Sequence, residues 1–154
     1  MKPKQELVKQ VKALLWGRGQ EALEIAKQAL LQEKVEFVPL QVALRYFMEE
    51  FWVDVLHPAL ISLACEAVGG STDATTQIGA AVVLLAGGAD VHDDIIDQST
   101  IKDTKPTVFG KFGKDIAILV GDALLFKGLY MLHEACEQLP ENQKSGGWYI
   151  ILDE

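Results

Sequence analysis

Apolar residues recur at helical spacing along nearly the whole chain. Leu7, Val11, Leu14 and Leu15 make a first stripe, which Gly17 and Gly19 are expected to break. A second stripe runs over 20–34 with Leu23, Ala26, Leu30 and Leu31 on one face. A third begins at Pro39, a residue suited to a first helical turn, and carries Leu44, Phe47, Met48 and Phe51. Near Pro58 the pattern predicts a turn or kink. A fourth helix then reaches Val68, where Gly69 and Gly70 stop it. Ser71 or Thr72 is placed to cap a fifth helix ending at about Asp97. A polar link follows from Gln98 to Gly110, and a sixth helix runs from about Lys114 to just short of Pro140. No strand-type alternation extends beyond a few residues. The expectation is one all-α helical bundle over 1–154, with N-terminal helices at 1–36 and a core at 37–140. The tail at 141–154 reads as a small strand or an interface segment, because Gly146 and Gly147 interrupt any helix there.

The longest uncharged stretch, Ala74 to Ala89, is shorter than the roughly 20 apolar residues that span a bilayer. The next, Ile116 to Phe126, carries Asp122 in its middle. No transmembrane segment is expected; both read as buried helices of a soluble bundle. Composition supports a folded domain: of 154 residues, 49% are apolar and 23% charged, and mean hydropathy is +0.15. The net charge of −8 argues against nucleic acid as a partner, since a phosphate backbone needs a basic surface. An anionic substrate must then be held through a metal or by local cations. Cys65 and Cys136 sit inside apolar helical patterns and read as reduced core thiols, which suits a cytoplasmic protein. The stretch Met1 to Gln10 mixes Lys, Gln and Glu with single apolar residues and is not a signal peptide.

Candidate chemistry concentrates at the end of the fifth helix, where Asp90, His92, Asp93, Asp94 and Asp97 stand within eight residues. Side chains four apart share a helix face, so Asp93 pairs with Asp97 and Asp90 with Asp94. Such acids repel one another and oppose the helix dipole at a C-terminus, so something positive must offset them. Hard oxygen ligands suit Mg²⁺, which takes one or two carboxylates and fills its shell with water and phosphate oxygens. A solvated acidic helix end explains the same pattern. The uncharged helix that leads into it favours the rim of a deep apolar pocket.

The run Val91-His92-Asp93-Asp94-Ile95-Ile96-Asp97 resembles the first aspartate-rich motif of the all-trans prenyl diphosphate synthases. Lys105-Pro106-Thr107, then Gly113, then Ala117 through Asp122 follow as they do in that family, and Pro58 through Gly70 resembles the segment before the motif. The resemblance implies the N-terminal half of the isoprenoid synthase fold, with helices around a central cavity. It further implies Mg²⁺ held by Asp93, Asp94 and Asp97 against an allylic diphosphate. On this resemblance, metal-assisted loss of the diphosphate would leave an allylic cation, which the double bond of isopentenyl diphosphate attacks, and loss of a proton completes the elongation. Lys102 stands where the family has the first of two arginines and is a candidate diphosphate contact. Gly88 and Ala89, one turn before Asp93, stand where the family uses bulky side chains to stop the growing tail; small residues there imply a deep cavity and a longer product. Close packing of Gly87, Gly88 and Ala89 against another helix explains them equally. His92, Asp90 and Asp122 are candidate supports behind the ligands. Phe47, Met48, Phe51 and Trp52 read as core or interface.

The pattern also departs from the family. No second Asp-Asp pair follows Asp97. Where family members read Gly-Lys-Arg-x-Arg-Pro, this chain reads Val53-Asp54-Val55-Leu56-His57-Pro58; Asp103 replaces the second arginine and Ala86 a histidine. Cations for isopentenyl diphosphate are thus lost, and two positions became acids. The expected function is a small subunit of a heteromeric polyprenyl diphosphate synthase, inactive alone. Its partner is a synthase-like subunit carrying the second aspartate-rich motif, because half a cavity would leave apolar faces at 78–96 and 114–137 in water. The alternatives are a non-catalytic regulator of a complete synthase's product length, and a degenerate structural helical protein without a ligand.

Overall fold

The computed structural model describes residues 3–139. Helix α1 (Pro3–Leu31) is followed by α2 (Val38–Tyr46), which continues into one π-helical turn, Phe47–Phe51. Helices α3 (Leu56–Ala67) and α4 (Asp73–Ile96) come next. Two-residue strands β1 (Ile101–Lys102) and β2 (Lys105–Pro106) form an antiparallel hairpin, and α5 (Val108–Phe112) and α6 (Lys114–Glu137) complete the described chain. The all-α expectation holds; the expected tail segment at 141–154 lies outside the described residues.

Helix α4 is the axis of the bundle, with α1, α3 and α6 packed around it. Its Ala80, Ala81, Val83 and Leu84 are wholly buried, as are Ala26 of α1, Phe47, and Val120 and Leu124 of α6. The α4–α6 crossing is tight because small residues meet there. A Cβ on Gly88 would lie 2.8 Å from Leu125 Cγ, and one on Gly128 would lie 2.8 Å from Leu85 Cγ.

One local expectation fails. Helix α1 runs unbroken through Gly17 and Gly19. Gly19 is buried where the Val55 backbone crosses it, and a side chain there would collide with that strand of chain. It is a contact glycine rather than a helix stop. Of the two cap candidates, Thr72 does not cap α4 by its side chain; the Thr75 hydroxyl donates to the Thr72 carbonyl at 2.7 Å. The polar link forms the β1–β2 hairpin. Asp103 and Thr104, at φ 47° and 74°, turn its hairpin, and the Thr107 hydroxyl caps α5 by accepting from the Gly110 amide at 2.9 Å.

The apolar faces expected at 78–96 and 114–137 divide differently. Helix α4 is enclosed on most sides; it turns Ala86, Ala89 and Asp93 outward, and Ile96 at its end. Helix α6 does expose a stripe: Phe126 is 72% accessible, with Leu119, Leu129 and Tyr130 beside it. By length and composition alone α6 is also long and apolar enough to cross a membrane. In the fold it lies along α4.

Candidate functional site

The acids leave α4 over its last two turns. Asp97 closes the helix, its amide bonded to the Asp93 carbonyl at 2.8 Å. Gln98 then takes a left-handed conformation at φ 54°, and Ser99 N–H returns to the Asp94 carbonyl at 2.9 Å. This ending turns the chain at once into the hairpin, which brings Lys102 back over the helix.

The four aspartates therefore do not share one environment. Asp93 and Asp97 are exposed, whereas Asp94 is 1% accessible and Asp90 is half-buried. Lys102 Nζ lies 2.7 Å from Asp90 Oδ1 and 2.8 Å from Asp94 Oδ1. Burial pushes the Asp94 carboxyl above its ordinary range, and Lys102 draws it only partly back. For Lys102 burial works against its charge, but the bonds to Asp90 and Asp94 win and its pKa rises. The remaining oxygens, Asp90 Oδ2 and Asp94 Oδ2, are buried without a hydrogen-bond partner. Asp93, Asp94 and Asp97 thus form no single cage, and among the described residues no three His, Cys, Asp or Glu side chains converge as a metal site. The reason is helical: a residue next to Asp93 points about 100° away, here into the core. Lys102, expected at a diphosphate, here pairs its ammonium with Asp90 and Asp94.

His92 Nε2 lies 3.2 Å from Asp122 Oδ1, joining α4 to α6. It packs on Gly121, where any Cβ would overlap the imidazole ring. Gly88 is buried in the α4–α6 crossing against Leu125 and the Gly121 carbonyl and does not face open space. Its expected place along a prenyl tail gives way to the packing explanation. Ala89 does face open space. With Trp52, His57, Ala86, Asp90 and Asp93 it lines a cleft of about 510 Å³. A second cleft of about 420 Å³, containing Phe51, Lys102 and Lys105, adjoins it across Trp52 and Asp90.

Trp52 and Asp54 have roles that their sequence positions do not announce. Trp52 follows the π turn, stacks on Phe47 with ring centroids 5.4 Å apart, and divides the two clefts. Asp54, read as an acid that would repel a ligand, is instead committed to structure. Its Oδ1 accepts from the amides of Leu56 and His57 at 3.1 and 3.2 Å, which caps α3, and its Oδ2 meets His57 Nδ1 at 2.7 Å. The helix-start signal Asp-x-x was visible in the sequence; the buried setting was not.

The donor set fits Mg²⁺ in one respect. Two open carboxylates one turn apart, Asp93 and Asp97, are the complement Mg²⁺ takes from a protein when substrate phosphates and water supply the rest.

Comparison with known proteins places these features. The profile of the polyprenyl synthetase family matches residues 55–145, more than half of the chain. The geranylgeranyl diphosphate synthase of Sulfolobus acidocaldarius is 38% identical over 85 residues, which cover 55% of this chain and 26% of that protein. The heterodimeric geranylgeranyl pyrophosphate synthase large subunit 1 of Arabidopsis thaliana is 38% identical over 72 residues, covering 46% of this chain and 19% of its own. In structure, a geranylgeranyl pyrophosphate synthetase from Geoglobus acetivorans superposes with TM-score 0.71 at 28% identity, over 84% of this chain and 41% of that one. The chain therefore spans well under half the length of these relatives.

Proposed function

From the premise that this chain belongs to the polyprenyl synthetase family, we propose that it is the acidic half of a polyprenyl diphosphate synthase. It acts as a small subunit that elongates an allylic diphosphate with isopentenyl diphosphate only together with a synthase-like partner. The observation that carries this reading is the exposed pair Asp93 and Asp97, one helical turn apart, of which Asp93 lines a cleft together with Ala86, Ala89 and Trp52. Asp93 and Asp97 would hold Mg²⁺. Bound there, the ion would neutralise the charge gathering on a departing diphosphate. The chain's own contribution is to hold those two carboxylates at one helix end and to set Trp52, Ala86 and Ala89 beside His57, Asp90 and Asp93 in the adjoining cleft. Ala89 gives that cleft only a methyl group. The lost cations at Asp54 and Asp103, and the exposed stripe of Leu119, Phe126 and Leu129 on α6, support dependence on a partner that brings a second acidic motif and a cationic pocket.

Reconstitution tests this. In a complex with a subunit carrying the second motif, Asp93→Ala/Asp97→Ala should abolish elongation while leaving assembly intact, and the chain alone should be inactive. One observation favours the regulatory reading: two of the four acids are already neutralised by Lys102. Full turnover by the assembled double variant would establish that reading instead. Product length gives a separate handle: Ala89→Phe in the same complex should shorten the product, and an unchanged product would remove Ala89 from the tail path.

A further inference from the structure

Helix periodicity gives the end of α4 two equivalent carboxylate pairs, Asp90 with Asp94 and Asp93 with Asp97. The fold makes them unequal. We propose that Lys102 is a positioning residue whose ammonium serves as the built-in cation of the Asp90–Asp94 pair, leaving only the Asp93–Asp97 edge to receive a cation from solution. The role given to that edge rests on the proposed function; the role of Lys102 does not.

Three observations carry the assignment. The ammonium bridges the two acids at 2.7 and 2.8 Å, as a bound cation would. Asp94 is 1% accessible, so without a counter-charge it would be an unpaired buried carboxylate, which folded proteins rarely tolerate. Lys102 itself is held from outside the helix. Its hairpin is turned by Asp103 and Thr104, tied by the Thr107 amide to the Thr100 carbonyl at 3.0 Å, and pinned to α2 where Tyr46 OH donates to the Pro106 carbonyl at 2.6 Å. The lysine thus fixes the helix turn from which Asp93 and Asp97 project.

Thermal unfolding of four variants, with and without millimolar Mg²⁺, tests this. Lys102→Met should lower the midpoint by roughly 5–10 °C, and Lys102→Arg should stay near wild type. Adding Asp94→Asn to Lys102→Met should recover most of the loss, because the buried charge that needed a partner is gone. Mg²⁺ should raise the midpoint of Lys102→Met more than that of wild type, by entering the vacated pair, and should give the double variant no such extra gain. A role through packing alone would show no recovery with Asp94→Asn and no selective effect of Mg²⁺, and either result overturns the proposal. If Lys102→Met does not fold, a folded double variant supports the assignment and an unfolded one rejects it. Failure of the proposed function would appear elsewhere, as wild-type protein that binds no diphosphate with Mg²⁺ while this pattern of midpoints stands.

Discussion

Asp94 keeps its carboxyl above the ordinary range because burial outweighs the pull of Lys102. The folded chain therefore takes up this proton at a higher pH than the unfolded chain. The stability that Asp94 contributes is present in full below its unfolded value and is lost as pH rises through its folded value. Asp94→Asn imitates the protonated form, and Lys102 still has Asp90 in that variant. The stability of Asp94→Asn relative to wild type should accordingly increase from pH 4 to pH 7; urea unfolding at each pH measures it, and a constant or falling difference would contradict the account. The aspartate spacing was legible in the sequence, including the separation of Asp94 from its neighbours' face. The partner was not, because Lys102 arrives through a hairpin turned by two non-glycine residues in left-handed conformation, Asp103 and Thr104, for which the chain carries no Asn-Gly or Gly-rich signal.

Apolar periodicity located the helices, but the glycines of α1 did not end its helix. Gly17 and Gly19 look alike in sequence, and both predicted a break. In the folded chain a Cβ on Gly17 meets nothing within 4 Å, whereas one on Gly19 would lie 2.8 Å from Val55 Cα. Their alanine variants should move in opposite directions. Gly17→Ala should stabilise by about 0.5–1 kcal/mol, and Gly19→Ala should destabilise by about 1–3 kcal/mol. Chemical denaturation of the two resolves the signs; a common sign would show that α1 does not pack on Val55 as described. Asp54 tells the same story at the start of α3. The acid that was read as a loss of cationic ligand earns its place by capping a helix, a role that depends on the close return of two amides.

Across the whole molecule the axis is α4, and its surroundings determine what remains open. Three helices enclose it and leave an outward edge that includes Ala86, Ala89, Asp93, Ile96 and Asp97, while α6 keeps an apolar stripe outside. The all-α bundle and the acidic helix end were legible from periodicity and residue type. The contrast between α4 and α6 was not, since both are long and apolar in sequence and only packing distinguishes an enclosed helix from one with a bare side. On the proposed function, the Asp93–Asp97 edge holds a diphosphate through Mg²⁺. Isothermal titration of an allylic diphosphate, geranyl diphosphate, into the purified chain decides the point. Binding that requires Mg²⁺ and is lost in Asp93→Ala/Asp97→Ala is expected; binding that persists without Mg²⁺ or in that variant, or no binding by the wild type, would refute the proposal.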